Sequence, residues 1–236
     1  MVNLDAGSQA AGPLDSGSSD VVASDFAAVL RASRLVAIVR GSDPDATRAA
    51  VRVLFETGVR LVEVSLSGRD AVAVIADLVP EAPQGCLLGA GTVRTPEDVE
   101  RVVAAGAGFA VSPATTGVVA ASVVAGLPIL AGALTPTEIE TALAHGADAV
   151  KLFPASLGGP AYLSALRQPF PEVPLVPVGG VGPDEAVDYL ARGAVAVGVG
   201  SPLLGDAGDG GDLAELAARA RRFLTVTAAA TGDTPR

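Results

Sequence analysis

A chain of 236 residues, half of them apolar, can form one large domain or two small ones. Its net charge of −10, with no basic run interleaved with aromatics, excludes a nucleic-acid surface, and no apolar stretch is long and charge-free enough for a membrane span. A single cysteine, Cys86, and a single histidine, His145, exclude an intrachain disulfide and a cysteine-rich metal cluster.

In chain order, residues 1–22 are rich in Gly, Ser and Asp and cannot bury enough apolar surface to offset ordering; a disordered arm is expected. They carry neither a basic start nor an apolar signal core, which points to the cytoplasm. Ser24-Asp25 is expected to cap a short N-terminal helix carrying Phe26, Val29 and Leu30. From there a unit recurs: a short apolar strand, a turn, and an amphipathic helix often closed by Gly. The expected strands are Leu35–Val39, Leu61–Ser65, Cys86–Ala90, Gly108–Val111, Pro128–Ala131, Ala147–Lys151, Leu175–Val178 and Ala194–Val197. Asp43-Pro44, Thr95-Pro96, Thr135-Pro136 and Pro183-Asp184 open helices, while Gly58, Gly106, Gly146 and Gly193 close them. His145 falls at such a helix end, where an imidazole suits the dipole. Residues 205–212 read as a mobile loop, Leu213 to about Ala228 as a closing helix, and 229–236 as a frayed tail.

Eight such units over residues 23–228 leave no room for a second domain and fit a closed (β/α)8 barrel. An open doubly wound sheet would carry a glycine-rich phosphate turn after its first strand; Val39-Arg40-Gly41-Ser42 is not one.

Barrel chemistry sits at the carboxyl ends of the strands. Those ends carry Arg40, Glu63 to Ser65, Gly89 to Thr92, Ser112-Pro113, Lys151, Gly179-Gly180 and Gly198 to Ser201. Of the 16 Lys and Arg residues, only Lys151 is lysine, and it ends an apolar run. Arginine keeps its proton, whereas an amine in apolar surroundings loses it more readily and can attack a carbonyl. Lys151 therefore reads as an imine-forming residue; the alternatives are a chance lysine left by arginine-rich coding bias and an amine that merely grips an anion. Glu63 interrupts an apolar strand, which suits a proton shuttle or an ion pair with Lys151 or Arg40. The glycine clusters after strands 7 and 8, with Ser201 at a helix start, suit a phosphate; otherwise they only permit tight turns.

Glu63-Val64-Ser65-Leu66, Gly89-Ala90-Gly91-Thr92-Val93, Ser112-Pro113, Leu134-Thr135-Pro136-Thr137-Glu138, Lys151-Leu152-Phe153-Pro154-Ala155 and Gly179-Gly180-Val181 occur in one order. Together they resemble the 2-keto-3-deoxy-6-phosphogluconate (KDPG) aldolase family, whose members also act on 4-hydroxy-2-oxoglutarate. The resemblance spans about Ser33 to Leu204. It implies a class I aldolase that needs no metal and no cofactor, usually a homotrimer, taking a phosphorylated keto acid. It implies Lys151 as the Schiff-base lysine and Glu63 as the general acid/base. Arg40, Thr92, Pro113 and Phe153 would contact substrate, and Gly179, Gly180, Gly200 and Ser201 would take the phosphate. KDPG would be cleaved to pyruvate and glyceraldehyde 3-phosphate, and 4-hydroxy-2-oxoglutarate to pyruvate and glyoxylate.

Three positions depart from the family pattern. Ser67 stands where many members carry Arg, with Arg69 close by in sequence; Val178 stands where they carry Thr; Ala114 replaces a frequent Gly. Relatives that cleave 2-keto-3-deoxy-6-phosphogalactonate (KDPGal) often lack that Arg and Thr, and Gly158 to Tyr162 resembles them too. KDPGal cleavage is the alternative reading. Two further rivals are a phosphosugar epimerase, which leaves the sole lysine unexplained, and a phosphate-binding barrel with a relic pocket.

Overall fold

Eight parallel strands, each followed by a helix, close into a cylinder. The computed structural model describes residues 26–230; the expected arm, the Ser24-Asp25 cap and residues 231–236 of the expected tail lie outside them. Residues 26–33 form α1. The first half continues with β1 (Leu35–Val39), α2 (Pro44–Glu56), β2 (Leu61–Ser65), α3 (Ala71–Leu78), β3 (Leu87–Gly91), α4 (Pro96–Ala104), β4 (Ala110–Val111) and α5 (Gly117–Val124). The second half holds β5 (Ile129–Ala133), α6 (Pro136–Ala144), β6 (Ala149–Leu152), α7 (Gly159–Arg167), β7 (Leu175–Pro177), α8 (Pro183–Ala191), β8 (Val197–Val199), α9 (Ser201–Leu204) and α10 (Leu213–Ala229). The strand order is β7-β6-β5-β4-β3-β2-β1-β8, and an isolated parallel bridge, Val178 to Gly198, joins the two ends into a (β/α)8 barrel.

The helix signals act as their chemistry dictates. The Asp43 carboxylate accepts from the amides of Asp45 and Ala46, and Thr95 with Asp98 and Thr135 with Glu138 form reciprocal caps. Prolines fill the first turns. His145 ends α6, its Nδ1 lying 2.6 Å from the Thr141 carbonyl oxygen.

Two expectations are corrected. Strand 8 lies later than Ala194–Val197, because its partners in β1 begin where Leu35 faces Val197. Residues 205–212 are not a mobile loop. A 3₁₀ turn at Ala207–Asp209 buries Ala207 and Gly208, and the Asp209 carboxylate accepts from the Ser42 amide and hydroxyl at 2.6 and 2.7 Å.

Alternation along each strand divides the core. Val36, Leu61, Phe109, Val111, Leu130, Ala149 and Val176 fill the cylinder; Ala37, Val62, Val64, Ala131, Val150 and Leu152 pack outward against the helices. The interior is sealed at its amino end by α1. Phe26 stacks on Phe109 there, with ring centroids 5.3 Å apart. The opposite end stays open.

Candidate active site

The same alternation carries polar groups to the open end. In β2, Leu61 points into the cylinder and Val62 and Val64 point out, so Glu63 and Ser65 face inward. In β6, Ala149 points in and Val150 and Leu152 point out, so Lys151 faces inward. Glu63 is 2 % exposed and Lys151 7 %. Glycine supplies the space: a Cβ on Gly91 would overlap Glu63 Oε1.

A cavity of about 680 Å³ opens at this end, and Arg40, Glu63, Thr92, Pro113, Lys151, Phe153, Gly179, Gly180, Gly200 and Ser201 all line it. Every site residue expected from the sequence is thus in one place. Glu63 Oε2 is buried without a hydrogen-bond partner, and burial pushes the carboxyl above its ordinary range, with Lys151 and Arg40 pulling the other way. Lys151 takes part in no ion pair among the described residues; its Nζ sits 5.1 Å from the Phe153 ring centroid.

The segment after β6 is tied down. The Ala155 amide donates to the Val178 carbonyl at 2.8 Å, and the Tyr189 hydroxyl donates to the Ala155 carbonyl at 2.7 Å. Across from it, Thr92 has φ of +60°, a left-handed conformation that costs a β-branched residue about 1–3 kcal/mol. Its Oγ1 lies 2.9 Å from Ser65 Oγ. At the far side, Gly179 and Gly180 turn at φ of +98° and +74°, facing Gly200 and Ser201 across the β7–β8 seam.

The departures separate in space. Val178 lines the cavity as an apolar wall. Arg69 does not line it. It is exposed in a neighbouring basin of about 670 Å³ with Arg40, Ser42, Ser67 and Asp209, its Nε 3.8 Å from Asp70. Leu204, Gly205 and Asp209 line the cavity unexpectedly, because the segment after β8 folds back over it. A signal for this existed in paired small residues: a Cβ on Gly208 would come within 2.6 Å of the Arg40 carbonyl oxygen. A groove of about 590 Å³ between α3 and α4 is lined mainly by alanines and offers no nucleophile. Among the described residues, no helix is long and apolar enough to cross a membrane.

The family model described as KDPG and KHG aldolase matches residues 26–218. The chain is similar to a probable 2-dehydro-3-deoxy-6-phosphogalactonate aldolase of Rhizobium meliloti, at 38% identity over 82% of this chain and 90% of that one. It is similar to a 2-dehydro-3-deoxy-phosphogluconate aldolase of Treponema pallidum, at 38% identity over 74% of this chain and 84% of that one. Among solved structures, it resembles the KDPG aldolase from Legionella pneumophila with pyruvate captured as a covalent carbinolamine intermediate. The TM-score is 0.73 and the identity 29%, over 86% of this chain and 96% of that one. A cylinder that gathers an amine and a buried carboxylate at its open end, and a match that runs from the sealing helix into the last one, lead to one assignment: the chain belongs to the KDPG and KHG aldolase family and is an aldolase, a carbon–carbon lyase.

Proposed function

We propose that the protein cleaves 2-keto-3-deoxy-6-phospho sugar acids through an imine on Lys151, with a preference for the galactonate epimer. The observation that carries this reading is one cavity shared by a sole lysine and a buried carboxylate. The Lys151 amine adds to the C2 ketone, and loss of water from the carbinolamine gives a protonated imine. Glu63 takes the C4 hydroxyl proton, directly or through water, and the C3–C4 bond breaks. The bonding pair flows into the iminium and leaves an enamine, while glyceraldehyde 3-phosphate departs. Protonation at C3 and hydrolysis return the amine and release pyruvate. The iminium does the electron-withdrawing work that a Lewis acid does in other aldolases. A carboxyl with a raised pKa is suited to both halves of this proton traffic.

Thr92 and Pro113 receive the pyruvyl end, Phe153 packs beside the imine, and Arg40 meets substrate oxygens. The left-handed turns of Gly179 and Gly180, with Gly200 and Ser201, present donors to the phosphate. Val178 supports the galactonate choice, since its apolar wall rewards no hydroxyl on that side of the substrate and leaves the C4 hydroxyl to Glu63. The name of the Rhizobium relative points the same way. We also propose a homotrimer, supported by the exposed Val103, Val123 and Val124 on α4 and α5; sedimentation tests it.

Borohydride reduction with pyruvate tests the chemistry, the expected result being one adduct on Lys151 by mass spectrometry. Cleavage by an unmodified protein, or by Lys151→Arg, overturns it. Steady-state cleavage of KDPGal, KDPG and 4-hydroxy-2-oxoglutarate side by side tests the substrate. Equal or reversed kcat/KM for the two epimers overturns the galactonate assignment.

A further inference from the structure

Three hydroxyls run in a row away from the cavity wall. Thr92 Oγ1 lies 2.9 Å from Ser65 Oγ, and Ser65 Oγ lies 2.8 Å from Ser67 Oγ. Thr92 lines the cavity, Ser65 is fully buried, and Ser67 is exposed in the neighbouring basin. Each hydroxyl has one proton, so a row in which each donates to the next runs in one of two directions. When Thr92 donates to Ser65, it shows the cavity only lone pairs. When Ser67 donates to Ser65 and Ser65 to Thr92, the Thr92 proton is free to enter the cavity. A carboxylate accepts and cannot donate, so it selects the second direction.

Resting on the aldolase reading above, we infer that Ser67 and Ser65 are positioning residues, a hydroxyl chain that sets Thr92 as donor to the carboxylate of the bound keto acid. Each hydrogen bond in such a chain polarises the next, so an outer hydroxyl strengthens a donor two groups away. Water at the exposed Ser67 keeps its oxygen solvated while its proton turns inward. The left-handed backbone of Thr92 belongs to the same device, since the residue holds that conformation with its hydroxyl against Ser65. In aldolases of the family that carry Arg at the position of Ser67, a cation stands there; here a neutral hydroxyl stands in that place and acts on the anion through Ser65 and Thr92.

The test is borohydride trapping on Lys151 over a range of ketone concentrations, with pyruvate and with hydroxyacetone, which has no carboxylate. Ser65→Ala raises the pyruvate concentration for half-maximal trapping about tenfold, the range expected for losing support of a charge-assisted hydrogen bond. Ser67→Ala, at an exposed position that cannot unfold the barrel, raises it roughly two- to fivefold. Half-maximal trapping of hydroxyacetone stays unchanged in both, and Ser65→Thr restores the pyruvate value. An unchanged pyruvate value in both Ala variants, or equal shifts for the two ketones, overturns the inference while the aldolase reading stands. Wild-type protein that traps neither ketone overturns both.

Discussion

Glu63 keeps a carboxyl almost wholly withdrawn from solvent, and that placement sets activity against stability. Burial lifts its folded pKa above the ordinary value of about 4.5. Between those two values the folded chain holds a proton that the unfolded chain has released, so stability falls as pH rises through the interval. Glu63→Gln removes this dependence. We expect the variant to melt a few degrees above wild type at pH 7, with the difference vanishing well below pH 4.5, and to lose about 10²–10⁴ in kcat/KM. Thermal melts across pH and cleavage assays check both. Wild-type kcat/KM should have its acid limb above the ordinary carboxylate range. A second substitution addresses the wall: Val178→Thr should shift the ratio of kcat/KM for the two epimers toward gluconate by about fivefold. Lys151 and Glu63 were legible in the sequence because each is a charge in an apolar strand, and alternation tells which face such a residue takes. The link between Ser65 and Thr92 was not. It depends on the β2–β3 register and on a backbone conformation that threonine disfavours, neither of which leaves a local mark.

Caps and closing glycines are short-range chemistry, so the helices opened at Pro44, Pro96, Pro136 and Pro183 were readable, and strand positions followed to within a few residues. The shift of β8 and the pinned Ala207–Asp209 turn were not readable, because both answer to partners near the other end of the chain, Leu35 and Ser42. Tyr189, on α8, shows what such distant partners do for the site. Its buried hydroxyl holds the Ala155 carbonyl, and the Ala155 amide donates to Val178, just past β7. Tyr189→Phe leaves that carbonyl without its donor. The expected loss is about 1–3 kcal/mol, a Tm lower by several degrees, and a lower kcat with Lys151 still trapped by borohydride. An unchanged melt and unchanged kcat would show that the segment after β6 is held by its backbone bonds alone.

The whole barrel has one end for stability and one for chemistry. Phe26 and Phe109 seal the amino end, on the far side of the cylinder from Lys151. Phe26→Ala should destabilise the fold by about 3–5 kcal/mol while leaving kcat within a factor of two at 25 °C, measured by denaturant unfolding and steady-state cleavage. The cylinder also has a weak line. Registered pairs join β1 to β8 and β6 to β7, whereas β7 meets the β8 segment through the Val178–Gly198 bridge and the Val195 amide, which donates to the Leu175 carbonyl at 3.0 Å, below Gly179-Gly180 and Gly200-Ser201. A phosphate seated there as proposed would act as a rivet across two lips of the sheet, stiffening a seam that has no run of registered pairs of its own. Amide hydrogens around residues 178–180 and 198–200 should then exchange more slowly when glyceraldehyde 3-phosphate is present than when pyruvate alone is, so that the leaving fragment holds the joint closed until it departs.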